Sequence, residues 1–354
     1  MIFRQLLIDF LEKNNIPQYR AKQLLNAVYH EGKHNYADIK VLPISVRDLL
    51  EKEFPIFSFT VKKEVVSKSG NVIKTLFKLK DGAERAHSAS ASKSRNLALP
   101  VLRRSELYQV EGVKMLFKDG RNSVCVSSQV GCPLKCAFCA TGALGFKRNL
   151  TAEEIADQVA YFGHVTNVVF MGMGEPLLNY DAVMESVRIM NDPDYLGIAS
   201  RRITISTSGI IPGIKRLSED KLQVNLAVSL HAPNQALREK LMPIAKSYKL
   251  PELMDTIKKY IEKTHRRVSY EYVMLSNIND SVPLAKELAK LLKGQMCHVN
   301  LIPYNETYLG FKNAGQTRIN AFAEILKSFN IPVTVRVSLG QEINAACGQL
   351  AKKS

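Results

Sequence analysis

The stretch Cys125-Val-Ser-Ser-Gln-Val-Gly-Cys132-Pro-Leu-Lys-Cys136-Ala-Phe-Cys139-Ala-Thr-Gly142 holds four of the chain's six cysteines; the other two are Cys297 and Cys347. Cys132, Cys136 and Cys139 form a C-x3-C-x2-C run. A structural zinc site takes four protein ligands, usually built from paired C-x2-C units. No fourth ligand sits at such spacing, and the nearest downstream histidine, His164, lies beyond the next helix. Thiolates also hold iron–sulfur clusters. Three of them on a cubane leave one iron open to an outside ligand, such as the amino and carboxylate groups of S-adenosylmethionine (SAM), whose reductive cleavage yields a 5′-deoxyadenosyl radical; the protein positions such chemistry and the cofactor performs it. On spacing alone, three inert buried thiols are the other reading.

Around this run the pattern is alternation of strand and helix. Strands are expected at Ser123–Ser128, Asn167–Met171, Arg202–Ser206, Asn225–Leu230, Val268–Leu275, Val299–Pro303 and Val333–Val337. Helices are expected between them, at Thr151–Phe162, Tyr180–Met190, Pro212–Leu217, Asn234–Met242, Pro251–Lys263, Val282–Leu292 and Gln316–Phe329. The first opens on Thr151-Ala-Glu-Glu154, a capping box in which hydroxyl and carboxylate satisfy orphan backbone N–H groups reciprocally. Repeated β-α units imply a parallel sheet with right-handed crossovers. The fold class is therefore α/β, a partial TIM-type (β/α)6 barrel over 123–340 with its chemistry at the C-terminal strand ends. Residues 341–354 form a terminal loop and tail.

Upstream, residues 1–55 read as a small helical domain: Phe3, Leu6, Leu7, Phe10 and Leu11 recur at helical spacing, and Pro17 and Pro43 open further helices. Residues 56–122 read as a β extension, with a hairpin of Phe57–Val66 and Val72–Leu79 turning at Ser67–Asn71. Within it, residues 83–105 are small, polar and basic, with five Lys and Arg against one Glu. They read as a mobile loop inserted between strands.

Across its 354 residues the chain carries a net charge of +16, is 46% hydrophobic and 23% charged. That composition excludes wholesale disorder. No run approaches the roughly 18 apolar residues of a membrane span, and Asp9 and Glu12 interrupt the apolar N-terminus, so it reads as an amphipathic helix and not a signal peptide. Six cysteines without a secretion signal suit a reducing compartment, which places the protein in the cytoplasm. A pI near 9.5 suits a polyanionic partner such as nucleic acid, or merely a solvated basic surface. Arg4, Arg20, Lys22 and Lys40 leave an RNA-contact role open for the N-terminal helices.

The segments CVSSQVGC, CAFCATG, GFKRNLTAEEI, FMGMGEPLLN, ISTSGIIP, LAVSLHAP, HVNLIPYN and INAACGQL, in this order between about Glu111 and Leu350, resemble the RlmN/Cfr family of radical SAM adenosine methyltransferases that modify 23S rRNA. The resemblance implies a [4Fe-4S] cluster on Cys132, Cys136 and Cys139 with SAM on the open iron. It implies that Gly174, Glu175, Ser206, Ser229, Leu230, His231 and Asn305 line the SAM pocket, with Glu175 accepting from the SAM ammonium. Outside the family context, His231 reads as an ordinary packed histidine and the Gly174 loop as a tight turn.

The resemblance further implies a two-stage reaction. Adenine C2 and C8 are electron-poor and offer no nucleophile for an electrophilic methyl group. Cys347 first takes a methyl from one SAM. A radical from a second SAM then removes hydrogen from that S-methyl group, and the resulting carbon radical adds to the ring as a protein–RNA adduct. Glu111 is the implied proton acceptor, and Cys125 attacks the Cys347 sulfur, releasing product and leaving a disulfide. Glu111 otherwise reads as a solvent-side strand carboxylate. Gly348 after Cys347 suggests a mobile loop able to visit two partners, and Cys297 reads as structural. Two features depart from the family pattern: the 83–105 stretch, and Asn344 in Glu342-Ile-Asn344, where a second acidic residue is more frequent.

The implied substrate is one adenosine of 23S rRNA, with a tRNA anticodon-loop adenosine as a second target. C2 is the favoured carbon and a C8-directed, Cfr-type enzyme the alternative. A flavodoxin or ferredoxin supplies electrons, no membrane is involved, and the chain is expected to be a monomer. A radical SAM enzyme of another class, acting on a protein or small molecule, explains Cys125 and Cys347 less well. A non-catalytic RNA-binding protein with a structural metal site is the remaining reading, which iron analysis and colour distinguish.

Overall fold

The computed structural model describes residues 2–80 and 108–350, with side chains from Leu6 onward. The basic stretch at 83–105 and the last four residues lie outside the described residues. Twelve strands follow in chain order: β1 Phe59–Val66, β2 Val72–Leu79, β3 Gln109–Leu116, β4 Asn122–Cys125, β5 Gln129–Gly131, β6 Phe146–Asn149, β7 Asn167–Phe170, β8 Ile203–Thr207, β9 Asn225–Ser229, β10 Val268–Met274, β11 Cys297–Pro303 and β12 Val333–Val335. Ten of them make one sheet in the order β1-β2-β3-β4-β7-β8-β9-β10-β11-β12. Pairing is antiparallel from β1 to β4 and parallel from β4 onward. Among the described residues nothing pairs β12 back to β4, so the barrel is partial, and the hairpin extends its first edge.

The helices longer than one turn are α1 Ile2–Lys13, α2 Tyr19–Leu25, α3 Ile44–Glu53, α4 Ala152–Tyr161, α5 Tyr180–Asn191, α6 Ile211–Glu219, α7 Gln235–Leu241, α8 Leu250–Thr264, α9 Val282–Leu292 and α10 Gln316–Ser328, and a single turn, Ala140–Ala143, follows the cysteine run. None of the helices is long and apolar enough to cross a membrane, among the described residues. The period of two along each barrel strand divides its side chains between two environments. Ile203, Ile205, Leu226, Val228, Tyr270, Tyr272, Val299 and Leu301 are completely or almost completely buried; Tyr272, for example, packs on Phe322 of α10. The alternate positions Val169, Met171, Thr204, Asn225, Ser269, Glu271 and Asn300 line a cavity of ≈ 380 Å³ inside the barrel. A TIM barrel fills this space with branched apolar side chains; here it is polar and open.

The helical segment expected to stand as its own domain shares one apolar core with the barrel, running from Leu7 to Leu350. Tyr29 meets Tyr195 with ring centroids 5.1 Å apart, and His34 stacks on Tyr161 of α4 at 4.8 Å. The strand expected at 123–128 ends at Cys125. Beyond it the chain crosses to the loop after β7, where Ser128 N donates to Met173 O at 2.8 Å, and enters a separate antiparallel ribbon of β5 and β6.

The capping box at α4 is present: Glu154 N donates to Thr151 Oγ1 at 3.2 Å, and Thr151 N donates to Glu154 Oε2 at 3.0 Å. Arg148 grips the same carboxylate at 2.7 and 2.8 Å. The helix thus anchored reaches the site, because Gln158 accepts from Ser127 N at 3.0 Å and donates to Ser127 O at 3.1 Å. Thr151→Ala should cost about 1 kcal/mol, read as a lower urea midpoint at unchanged slope. An unchanged midpoint would show that the Arg148–Glu154 pair alone fixes the helix start.

Candidate functional site

The three-cysteine loop leaves β5 through Gly131, whose φ is +75°. A Cβ there would fall 1.8 Å from Gly145 O, so only glycine fits. Cys132 N donates to Gly145 O at 3.1 Å and Cys139 N to Cys136 O at 3.2 Å, while Ala137 N donates to Leu241 O of α7 at 2.9 Å. The three thiols are free and act on one another electrostatically. Burial pushes Cys132 up to about 12 and Cys136 well above its ordinary value, so these thiols need a bound cation to become thiolates. Among the described residues no group of His, Cys, Asp or Glu closes on a single metal ion. A zinc site draws its thiolates to about 2.3 Å from one ion, whereas a cubane's thiolates bind separate irons. Three neighbouring thiols that act on one another, with no fourth protein ligand closing on them among the described residues, suit a cluster with an open iron.

The loops after β7, β8, β9 and β11 border this face. Gly174 has φ +103°, and a Cβ on it would fall 2.6 Å from Cβ of Gln129. Glu175 is buried; its carboxylate accepts from Leu177 N at 3.1 Å and from Ser208 N at 2.7 Å. Burial raises its pKa against those bonds. Ser206 lies on β8, Ser229 ends β9, and Leu230 and His231 follow, both buried. Burial, then the Arg238 charge, pushes His231 down to about 3, so its ring is neutral. Nδ1 accepts from Val273 N at 3.0 Å, which leaves Nε2 as the protonated nitrogen.

Asn305, beyond β11, has a different set of partners. Its Nδ2 donates to Cys347 O at 3.1 Å and its Oδ1 accepts from Gln341 Nε2 at 2.6 Å. The C-terminal segment is docked over the cysteine loop by further bonds: Ala140 N to Gly348 O at 3.0 Å, Thr141 Oγ1 to Leu350 O at 3.1 Å and Gln349 Nε2 to Glu306 O at 3.2 Å. Asn344 sits there at φ +53°, a left-handed conformation that Asn and Asp both tolerate, so the departure from the acidic pattern meets no backbone obstacle.

This docking brings Cys347 near Cys125. Cys125 is buried at the end of β4; burial first, then the Cys347 charge, pushes it up to about 12. Cys347 is exposed yet ringed by protein closely enough that desolvation raises its thiol as well. Arg336, just beyond β12, is electrostatically coupled to both thiols and pairs with Glu271 at 3.3 Å. Asn300 Nδ2 donates to the other Glu271 oxygen at 2.8 Å. Glu111 on β3 is 6% exposed, which removes the solvent-side reading. It pairs with Lys74 of β2 at 3.1 Å, and Lys74 Nζ also donates to Asn344 O at 3.2 Å. Lys74 thereby joins Glu111 to the segment that carries Cys347. Cys297 is buried at the first position of β11, at the other end of that strand from Asn305.

Lys74, Glu271, Arg336 and Arg238 were not singled out in the sequence. A single charged residue on the inward-facing parity of a buried strand, as in Val268-Ser-Tyr-Glu271-Tyr-Val-Met274, is the signal that marks Glu271.

The radical SAM superfamily profile matches residues 126–289. The chain is 42% identical over 353 residues to the probable dual-specificity RNA methyltransferase RlmN of Carboxydothermus hydrogenoformans, covering 98% of this chain and 96% of that protein. It is 41% identical over 342 residues to the ribosomal RNA large subunit methyltransferase N of Nitrosopumilus maritimus, covering 94% and 92%. The crystal structure of a radical SAM methyltransferase from Sphaerobacter thermophilus superposes with a TM-score of 0.86 at 42% identity, over 98% of this chain and 97% of that one. Fold and cysteine loop together define a radical SAM enzyme, which carries a [4Fe-4S] cluster and uses SAM. Within that class, the chain belongs to the RlmN family of RNA methyltransferases.

Proposed function

We propose that the protein methylates C2 of one adenosine in 23S rRNA, and an anticodon-loop adenosine in tRNA, through an S-methylated Cys347. The observation that carries this reading is the convergence of Cys347, Cys125 and the Lys74–Glu111 pair beside the cysteine loop, four positions scattered from residue 74 to 347. Cys132, Cys136 and Cys139 would hold the cluster; Gly174, Glu175, Ser206, Ser229, Leu230, His231 and Asn305 would border SAM. When bound, cluster and SAM supply one methyl group and one 5′-deoxyadenosyl radical per turnover, so two SAM are consumed.

The chain's own residues do the rest. Cys347 accepts the methyl as a thioether and carries it to the base. Asn305 holds the Cys347 carbonyl and so fixes where the sulfur stands. Glu111, ion-paired with Lys74, takes the ring proton, and the unpaired electron left on the adduct passes to the electron-transfer partner, which leaves a closed-shell thioether adduct. Cys125 then attacks the Cys347 sulfur: the S–C bond breaks, its electron pair and a proton go to the carbon, and a disulfide forms. Two electrons from a flavodoxin or ferredoxin-type donor reopen it. Lys22, Lys33 and Lys40 line a recess of ≈ 660 Å³ on the N-terminal helices, where phosphate contacts would orient RNA without specifying its sequence. A monomer in the cytoplasm, with no membrane partner, is sufficient for this chemistry.

The test is mass spectrometry of rRNA and tRNA from a deletion strain complemented with this chain. Return of 2-methyladenosine is expected. Appearance of 8-methyladenosine instead would transfer the same machinery to the C8 reaction, an assignment that the RlmN relatives do not favour.

A further inference from the structure

Strands β8 and β9 pair in parallel as far as Thr207 and Val228, and their ladder ends there. One residue further on, a side chain takes over. Arg238 of α7 donates from Nη2 to Ser208 O at 2.7 Å and to Ser229 O at 3.4 Å, so a single nitrogen ties the C-terminal end of one strand to that of its neighbour. Ser208 is held on its other side as well, because its N donates to the Glu175 carboxylate at 2.7 Å. The next residue, Gly209, has φ +98°, and a Cβ on it would fall 3.2 Å from Arg238 Nη2 and 2.8 Å from Leu253 Cδ2. The turn after β8 is thus pressed against the guanidinium. Helix α7 brings Arg238 to this place from a start fixed by Asn234, whose side chain accepts from Leu237 N at 3.0 Å.

Fold stability does not account for an arginine here. The side chain is fully buried; burial draws it down to about 10, which leaves it charged at neutral pH. Nε and Nη1 have no hydrogen-bond partner among the described residues. A buried charge with unfilled donors opposes folding, and an apolar side chain of similar size would fill the space without that cost.

We propose that Arg238 is a positioning residue for the SAM pocket, its Nη2 clamping the ends of β8 and β9 so that Ser206, Ser229 and the Glu175 carboxylate stand at one fixed separation. This rests on the reading that those residues border SAM. Arg238 acts through the Ser208 and Ser229 carbonyls and through the Ser208–Glu175 bond, without touching SAM itself.

The experiment is equilibrium dialysis of labelled SAM against the reconstituted holoenzyme, iron counted in every sample, beside anaerobic urea unfolding of the same proteins. Arg238→Met at full iron should bind SAM about tenfold more weakly, the low end of what loss of a supporting partner costs at a metal site, while its unfolding midpoint stays level or rises. Arg238→Lys, which keeps the charge and a donor on a shorter reach, should lie between it and the wild type in SAM affinity. A residue that only packs the fold would show the reverse, a lower midpoint with unchanged SAM affinity, and that result from either variant would overturn the proposal. Glu175→Gln separates the two readings: if it weakens SAM binding and Arg238→Met does not, the clamp is refuted and the pocket stands. If neither variant weakens it, pocket and clamp fall together.

Discussion

Cys347→Ala protein should fold as the wild type does, lose RNA methylation by at least about a thousandfold, and form no covalent complex with RNA. Cys125→Ala protein, by contrast, should accumulate such a complex. The fold survives the first change because the segment is held through backbone atoms: the carbonyls of Asn344, Cys347, Gly348 and Leu350 all accept bonds that an alanine at 347 leaves intact. The Cys347 side chain is itself exposed, where substitutions usually stay within about 0.5 kcal/mol. Activity cannot survive, since no other described thiol shares this position with Cys125.

The second variant isolates resolution. Cys125 is held up at about 12 chiefly by burial and next by the Cys347 charge. In an adduct the Cys347 sulfur is alkylated and carries no negative charge, so that repulsion vanishes at the stage when Cys125 must become a thiolate. Arg336, coupled to both sulfurs, then favours ionisation of Cys125 alone. Without Cys125 the adduct has no nucleophile to open it. Denaturing gels for the adduct and mass spectrometry for the product separate the two variants. Methylated RNA released by Cys347→Ala would refute a methyl-carrying Cys347, and free turnover by Cys125→Ala would refute its resolving role.

The β-α order was legible because strands such as β8, Ile203-Thr-Ile-Ser-Thr207, alternate buried apolar residues with polar ones, and because helix starts such as Thr151-Ala-Glu-Glu154 are local chemistry. The proposed cluster ligands could be picked out for the same reason, lying within eight consecutive positions from Cys132 to Cys139. What joins the site over distance was not. Lys74 looks like any strand lysine until the register Leu76–Glu111 sets β2 beside β3 and the C-terminal segment crosses both. Asn305 fitted a pocket motif, yet its visible partners are Gln341 and the Cys347 carbonyl. Arg238 reads as the polar face of a short amphipathic helix, and only the packing of α7 under the cysteine loop buries it. A hydrophobic period specifies which face turns inward, not which inward group another will meet.

Lys74→Met should be the most damaging single change outside the thiols. It removes one partner of a pair whose side chains are 9% and 8% exposed, and taking one member from a buried ion pair costs about 3–5 kcal/mol. It also releases the bond to Asn344 O, three residues before Cys347, and a sulfur displaced by about 1 Å can cost about 10²-fold in rate. The two effects separate in the double variant. Adding Glu111→Gln to Lys74→Met takes the buried negative charge away as well, so most of the lost stability should return in urea unfolding. Methylation should not return, because the proposed proton acceptor is gone; Glu111→Gln alone should cost about 10²–10⁴-fold with far less loss of stability than Lys74→Met. If instead the double variant recovered methylation with stability, the pair would be only a structural link between β2, β3 and the C-terminal segment, and the proton would have to leave the ring by another group.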